Sequence, residues 1–186
     1  MKKLFIIIIT ISFTSISSAQ INIRAGINFS NQYLDHPEFG LDPDGIKGYM
    51  IGINYQVELT DAFSIRPGMQ LIKKGSYWRL GPIGTDTQAN FHYVEFPLDL
   101  VYHMHSFIAY LGTNVGLLLS ANAFDRNYTQ NSGKDDVGIN VGLEHHINAF
   151  GIGINYSHSF TNIFDSPSSI NDVRNRVINI YVTLAL

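Results

Sequence analysis

Beyond the first nineteen residues the chain alternates apolar and polar positions with period two, the signature of strands with two chemically distinct faces. The first segment sets Ile21, Ile23, Ala25, Ile27 and Phe29 against Asn22, Arg24, Gly26, Asn28 and Ser30. The same division runs through residues 49–59, 63–71, 93–103, 107–119, 136–145, 150–160 and 177–186, predicting eight strands. Three connections are tight: Thr60-Asp61-Ala62, Met104-His105-Ser106 and Asn148-Ala149, the lengths that hairpins favour. The other four, near residues 31–47, 74–90, 120–135 and 161–174, are long and hold most of the Pro, Asp and Ser. Short turns at one end and long loops at the other describe an up-and-down meander with both termini at the short-turn end. Strands of about 11 residues, loops of about 15 and turns of about 3 fill the chain with eight strands, whereas ten would leave too little for loops. Pro67 and Pro97 fall inside strands and each removes a ladder donor, so a bulge or a locally broken pair is expected at both.

The faces decide between a soluble container and a membrane barrel. The polar face carries mainly Gly, Asn, Ser and Thr, which suit a crowded lumen better than a wetted exterior. The apolar face is large and unbroken, a liability in water and none in lipid. Tyr49, Tyr55, Tyr102, Phe107, Phe150 and Phe160 lie near strand ends, where aromatic girdles meet the two interfaces of a bilayer. Closure also pairs every backbone group in hydrocarbon. The fold class expected is therefore all-β, an eight-stranded antiparallel up-and-down transmembrane β-barrel spanning residues 20–186. The chain opens with Met1-Lys2-Lys3, an apolar stretch from Leu4 to Ile16, and Ser17-Ser18-Ala19. That is the pattern of a secretory signal cleaved after Ala19, so residues 1–19 are read as a signal peptide. The expected location is the outer membrane of a two-membrane bacterium, with both barrel termini periplasmic and the long loops extracellular.

Composition narrows the functions. Charged residues make up only 15% of the 186, the formal net charge is −3 and the pI about 6.1. No basic footprint for nucleic acid is present. Without cysteine there is no disulfide, no thiolate metal site and no cysteine nucleophile. The charges on the polar face gather: Arg24, Glu58, Arg66, Asp99 and Glu144 towards the short-turn end, Glu95 nearer the middle. They predict an interior ion-pair and hydrogen-bond network in which two arginines face four carboxylates, leaving an acidic surplus. A structural plug is the reading favoured over a proton relay or an acid/base pair, because eight-stranded barrels fill their interiors with side chains. His103 and His105, and His145-His146, lack a third ligand and are read as turn and interface histidines rather than a metal site. An esterase-like set of Ser157 or Ser159, His158 and Glu144 fails on sidedness, since His158 alternates with the serines. The acidic segment containing Asp35, Glu38, Asp42 and Asp44 lacks the spacing of a calcium loop, and Asp42-Pro43-Asp44-Gly45 is a turn signal. No catalytic residue, cofactor or metal is expected.

Tyr93-Val94-Glu95-Phe96-Pro97-Leu98 resembles the Tyr-Leu-Glu-Ile-Pro-Leu signature of the PorT-like outer-membrane β-barrel domain family. Lys73-Lys74-Gly75 resembles the basic-Gly pair that ends that family's third strand. Residues 112–120, 136–143, 156–163 and 175–178 resemble its later strands in order. Asp99 stands at a usually aliphatic position, and Leu186 where a terminal aromatic is usual. The resemblance implies an eight-stranded outer-membrane barrel, and in some relatives a link to protein secretion. The function expected is a structural or interaction role through the four long loops, by a monomer whose partners are outer-membrane lipid, the barrel-assembly machinery during insertion and a possible envelope or secretion protein. An accessory part in secretion is the alternative, and a lipid-active enzyme or a narrow pore ranks lower.

Overall fold

The computed structural model describes residues 19–34, 43–78, 87–123, 126–127, 135–163 and 173–186. The signal segment up to residue 18 and the acidic positions Asp35, Glu38 and Asp42 lie outside them. The described strands are β1 (Ala19–Leu34), β2 (Asp44–Glu58), β3 (Phe63–Trp78), β4 (Thr87–Met104), β5 (Phe107–Ala123), the two-residue β6 (Arg126–Asn127), β7 (Asp135–Ile147), β8 (Phe150–Ser159) and β9 (Val173–Ala185). All pairings are antiparallel; β1 to β5 and β7 to β9 pair in chain order, β5 pairs β7, and β1 pairs β9. The result is the closed eight-stranded barrel that the alternation predicts, with β6 only extending one end of β5 through Asn122 and Ala123. No helix among the described residues is long and apolar enough to cross a membrane.

Strands run further than the pattern indicated. β1 continues to Leu34, β2 begins at Asp44, β3 reaches Trp78 and β4 starts at Thr87, so the loops are shorter than the expected 15 residues. In the stretches missed there the inward positions turn apolar, as at Ile46 and Phe91, or the pairing is irregular, and either hides a period-two signal. Register shifts occur between Gly45 and Met50 on β2 and between His92 and Tyr93 on β4. The two prolines act differently. Pairing of β2 with β3 lapses between Asn54↔Gly68 and Val57↔Ile65, and that of β3 with β4 between Pro67↔Leu98 and Gln70↔Glu95, with the same register on either side. Each proline thus breaks the ladder in place and adds no bulge, because the lost N–H removes a bond without adding a residue. Two of the tight turns are two-residue loops, His105-Ser106 and Asn148-Ala149, whose first residues take positive φ of 58° and 55°. That hand matches the strand twist.

Sidedness follows the sequence. Ile23, Ile53, Leu111, Val141, Ile152 and Ile180 are exposed on the outer wall, while Asn22, Asn54, Asn140, Asn155 and Asn179 are buried inside. The lumen is not polar throughout, however. Ile72, Phe91, Ala121, Ile163, Val173 and Val177 form an apolar layer with Met50 and Tyr93 towards the long-loop end, and Val101, Ile108 and Tyr110 form another towards the short turns. The charged side chains lie between. A charge forced onto the outer wall has no such company: Leu111→Arg is expected to lower unfolding stability in lipid vesicles by about 2–4 kcal/mol. Urea titration followed by tryptophan fluorescence measures it, and a shift no larger than that of Leu111→Ala would contradict the lipid-facing assignment.

Candidate functional site: the lumen charge network

Two clusters of buried ion pairs occupy the barrel axis. In the one nearer the short turns, Glu144 on β7 is the hub. Its Oε1 accepts from Arg24 Nη2 at 2.5 Å and from Tyr181 OH at 2.8 Å and lies 3.0 Å from Arg66 Nη1, and its Oε2 lies 2.8 Å from His146 Nε2. Arg66 also donates to Asp99 Oδ2 through Nε at 3.4 Å and Nη2 at 3.3 Å, and Asn140 Nδ2 donates to Asp99 Oδ1 at 2.6 Å. Arg24 Nη1 stands 4.0 Å from the same Asp99 oxygen. Both guanidinium groups lie over the Tyr110 ring, Arg66 at 4.4 Å and Arg24 at 5.4 Å from its centroid. With its single proton given to Glu144, Tyr181 must accept from Tyr110 across their 2.6 Å contact.

Local sequence explains how two bulky rings fit. Tyr110 pairs with Gly142 and Tyr181 with Gly153 across neighbouring strands, and a Cβ on either glycine would fall within the facing ring. The glycines clear the space in which each ring lies flat against the wall and points its hydroxyl to the axis.

The second cluster sits further towards the long loops. Lys74 Nζ on β3 donates to Asp136 Oδ2 at 2.7 Å and pairs with Glu95 Oε1. Glu95 also accepts from Gln70 Nε2 at 2.7 Å and Asn114 Nδ2 at 3.4 Å; Asp136 accepts from Asn175 Nδ2 at 3.1 Å and Thr161 Oγ1 at 3.4 Å. The Tyr93 ring flanks the ammonium at 5.3 Å.

Of the six residues anticipated from sequence, Arg24, Arg66, Asp99 and Glu144 come together in the first cluster, and Glu95 in the second. Glu58 does not join them: it ends β2, where the wall stops at the mouth, and is exposed. Lys74 and Asp136 were missed. Lys74 continues the inward series Arg66, Gly68, Gln70, Ile72, so carrying the alternation past residue 71 would have found it. Asp136 stood on the polar face but was not counted with the charges. The inventory is corrected from two cations against four carboxylates to three against four, with His146 beside Glu144. Ser157 and Ser159 are buried in the lumen while His158 packs outside between Tyr156 and Phe160, at centroid distances of 6.5 and 5.7 Å. The esterase-like set therefore does not assemble. Among the described residues no group of three His, Asp or Glu is placed to hold a metal ion.

Between the clusters lies a cavity of about 20 Å³ lined by Arg24, Glu95, Asp99, Asn114, Asn140 and Asn179, room for about one water molecule. A closed barrel with a greasy outer wall and an ion-paired axis is the architecture of a small membrane-spanning β-barrel. The chain belongs to the outer membrane protein beta-barrel domain family, whose model matches residues 6–185. It is a small outer-membrane barrel. Among solved structures it is similar to Neisserial surface protein A, at 12% identity over 90% of this chain and 99% of that one, with a TM-score of 0.62. It is also similar to Ail, the attachment invasion locus protein of Yersinia pestis, solved with the heparin analogue sucrose octasulfate, at 14% identity over 91% and 99% and a TM-score of 0.53. At these identities the likeness is one of fold. No curated protein matches the sequence.

Arg66 holds both Asp99 and Glu144 and is 1% exposed. Removing one partner of a buried pair leaves uncompensated charge, so Arg66→Ala is expected to destabilise the barrel by about 3–5 kcal/mol. Asp61→Ala, at an exposed turn, should change it by less than about 0.5 kcal/mol. Thermal midpoints in detergent compare the two, and equal shifts would refute the network's structural weight.

Proposed function

We propose that the protein is a non-conducting, non-catalytic scaffold of the outer membrane whose closed barrel presents its long connections to envelope or external partners. The observation that carries this reading is the filled lumen. Seven ionic side chains from four strands cross-link the axis, and apolar layers stand on both sides of them. A water-sized cavity offers no path to ions, and eight strands leave an interior that side chains fill. Catalysis has little to work with. Ser64 Oγ lies 2.8 Å from His103 Nε2, yet Ser64 is fully buried behind the β3 wall and out of reach of a substrate.

In this reading residues 1–19 direct export and are removed, the assembly machinery inserts the barrel as a monomer, the termini and short turns face the periplasm and the long connections face outward. A second reading, accessory service in protein secretion, is favoured by one observation. The Lys74–Glu95 ion pair joins the two segments that carry the PorT-like resemblance, Lys73-Lys74-Gly75 and Tyr93 to Leu98. The resemblance thus falls on residues that meet in space.

Planar-bilayer recordings test the first reading: purified protein is expected to give no steps above background, and Lys74→Ala together with Arg66→Ala to raise leak only if the barrel survives. Discrete conductance from the unaltered protein would overturn it. Affinity capture from gently solubilised membranes separates the readings, since recovery of secretion components would favour the second and a loop-dependent envelope partner the first.

A further inference from the structure

Among the described residues whose exposure is known, the outer wall carries its Lys and Arg side chains towards one end. Lys47, Lys73, Arg174 and Arg176 face outward, and all four lie towards the long-loop ends of their strands. At the short-turn end the exposed charges are Glu58 and Asp61, with histidines. Lys47 and Lys73 stand on adjacent strands and form no ion pair with a described carboxylate. Lys73 pairs across the ladder with His92, and Tyr49, two residues from Lys47 on the same face, brings its hydroxyl within 3.3 Å of His92 Nδ1. The register thus sets Lys47, Tyr49, Lys73 and His92 on one patch of the outer face at the level of the aromatic girdle.

Directly below it, on the same faces of the same strands, the wall is hollowed. A groove of about 390 Å³ is lined by Ile23, Ile51, Ile53, Met69, Leu71 and Val94. Ile51 follows Tyr49 by two positions, Leu71 precedes Lys73 by two and Val94 follows His92 by two, so the groove opens beneath the cations without a break in the face. Gly52 and the lapse of pairing around Pro67 and Pro97 lie along its course. The exposed carboxylate Asp135 is on β7, beyond β5 from β4, and Asp44 lies at the start of β2.

We propose that this face is a binding site for one phosphate-bearing lipid of the leaflet at the long-loop end, its phosphate held by Lys47 and Lys73 with Tyr49 and His92 beside it, and one acyl chain seated in the groove. Charge complementarity selects the headgroup: two lysines without a described carboxylate partner at an interface attract a phosphate of net negative charge more than a zwitterionic head, whose phosphate is already offset by its own ammonium. The groove selects a lipid over free phosphate, because only an amphiphile fills both halves. In an outer membrane the outward leaflet is rich in phosphorylated glycolipid, so the site also ties the long-loop end to that leaflet. The inference rests on the membrane-spanning fold and not on the closed lumen, so conductance results leave it untouched.

The test uses the full barrel in detergent, native mass spectrometry and two probes: a bisphosphorylated acylated glucosamine disaccharide and the same lipid stripped of its phosphates. Retention of the phosphorylated lipid over the stripped one is expected, and Lys47→Gln with Lys73→Gln should cut it about tenfold. Arg176→Gln, whose guanidinium is instead stacked 3.7 Å over Tyr33 on β9 and β1, should cut it far less. Heat-modifiable gel mobility establishes that each variant is folded. Ile53→Trp, which fills the groove and keeps the cations, should weaken the lipid while inorganic phosphate at matched concentration fails to compete. Equal retention of the two lipids, or a double lysine variant that binds as the parent does, overturns the proposal.

Discussion

Everything in this molecule depends on the β1–β9 ladder, which runs from Asn22↔Ala185 to Leu34↔Val173 and joins the first strand to the last. In hydrocarbon an unpaired backbone N–H or C=O costs several kcal/mol, and an open sheet would present a whole row of them. Closing the sheet removes both edges at once. It also fixes what each side chain meets, because a period-two strand in a closed wall has one face towards lipid and the other towards the axis. A slip of one residue anywhere would turn Asn28 to lipid and Ile27 inward, so register is held by the whole set of ladders and not by any single pair.

Closure creates a second requirement. The axis of an eight-stranded barrel is too narrow for bulk water, so polar side chains placed there must satisfy one another. The two clusters do so by sharing. Glu144 collects two guanidiniums, a phenol and an imidazole, and Lys74 bridges two carboxylates that stand on either side of Gly116. Such pairs repay their desolvation only when the geometry is good and the remaining donors are satisfied. The Tyr110–Tyr181 contact and the amides of Gln70, Asn140 and Asn175 serve that end. Several of these side-chain links, β1 with β7 and β3 with β7 among them, join strands that are not neighbours in the wall. The network therefore braces the barrel across its diameter, which the ladders alone cannot do.

The wall was legible in the sequence because alternation and closure obey the same period. Ile51, Ile53 and Leu71 read as outward from their spacing alone, and they are. What could not be read was where a strand stops once polar and apolar residues no longer divide cleanly between the two faces, as in Gln32-Tyr33-Leu34 or Ser76-Tyr77-Trp78. There Gln32 Oε1 accepts from Ser76 Oγ at 2.6 Å and Trp78 Nε1 at 2.9 Å, a tertiary arrangement that no local pattern announces. Lys74 was missed for a different reason, since the inward alternation of β3 runs on through it. Its lysine looked like a loop cation because Gly75 follows it, yet Gly75 bends within the strand at φ 150° and exchanges hydrogen bonds with Ser30, N–H to Oγ and Oγ–H to C=O, both at 2.9 Å. Glu58 failed the other way. Its face was right, but a side chain at the last strand position has no wall above it and returns to water.

Inside and outside surfaces thus carry separate duties, and the distribution of charge shows how cleanly. Arg24, Arg66 and Lys74 are spent on buried carboxylates and contribute nothing to the exterior field. Lys47, Lys73 and Arg176 lie on the lipid-side face, and none has a described carboxylate partner. A barrel whose stability is internal can vary its girdle at little cost to the fold, whereas the connection after β8 reaches the axial network through Thr161, whose hydroxyl donates to Asp136. On the function proposed above, the surfaces that would meet partners lie apart from most of the residues that hold the barrel together.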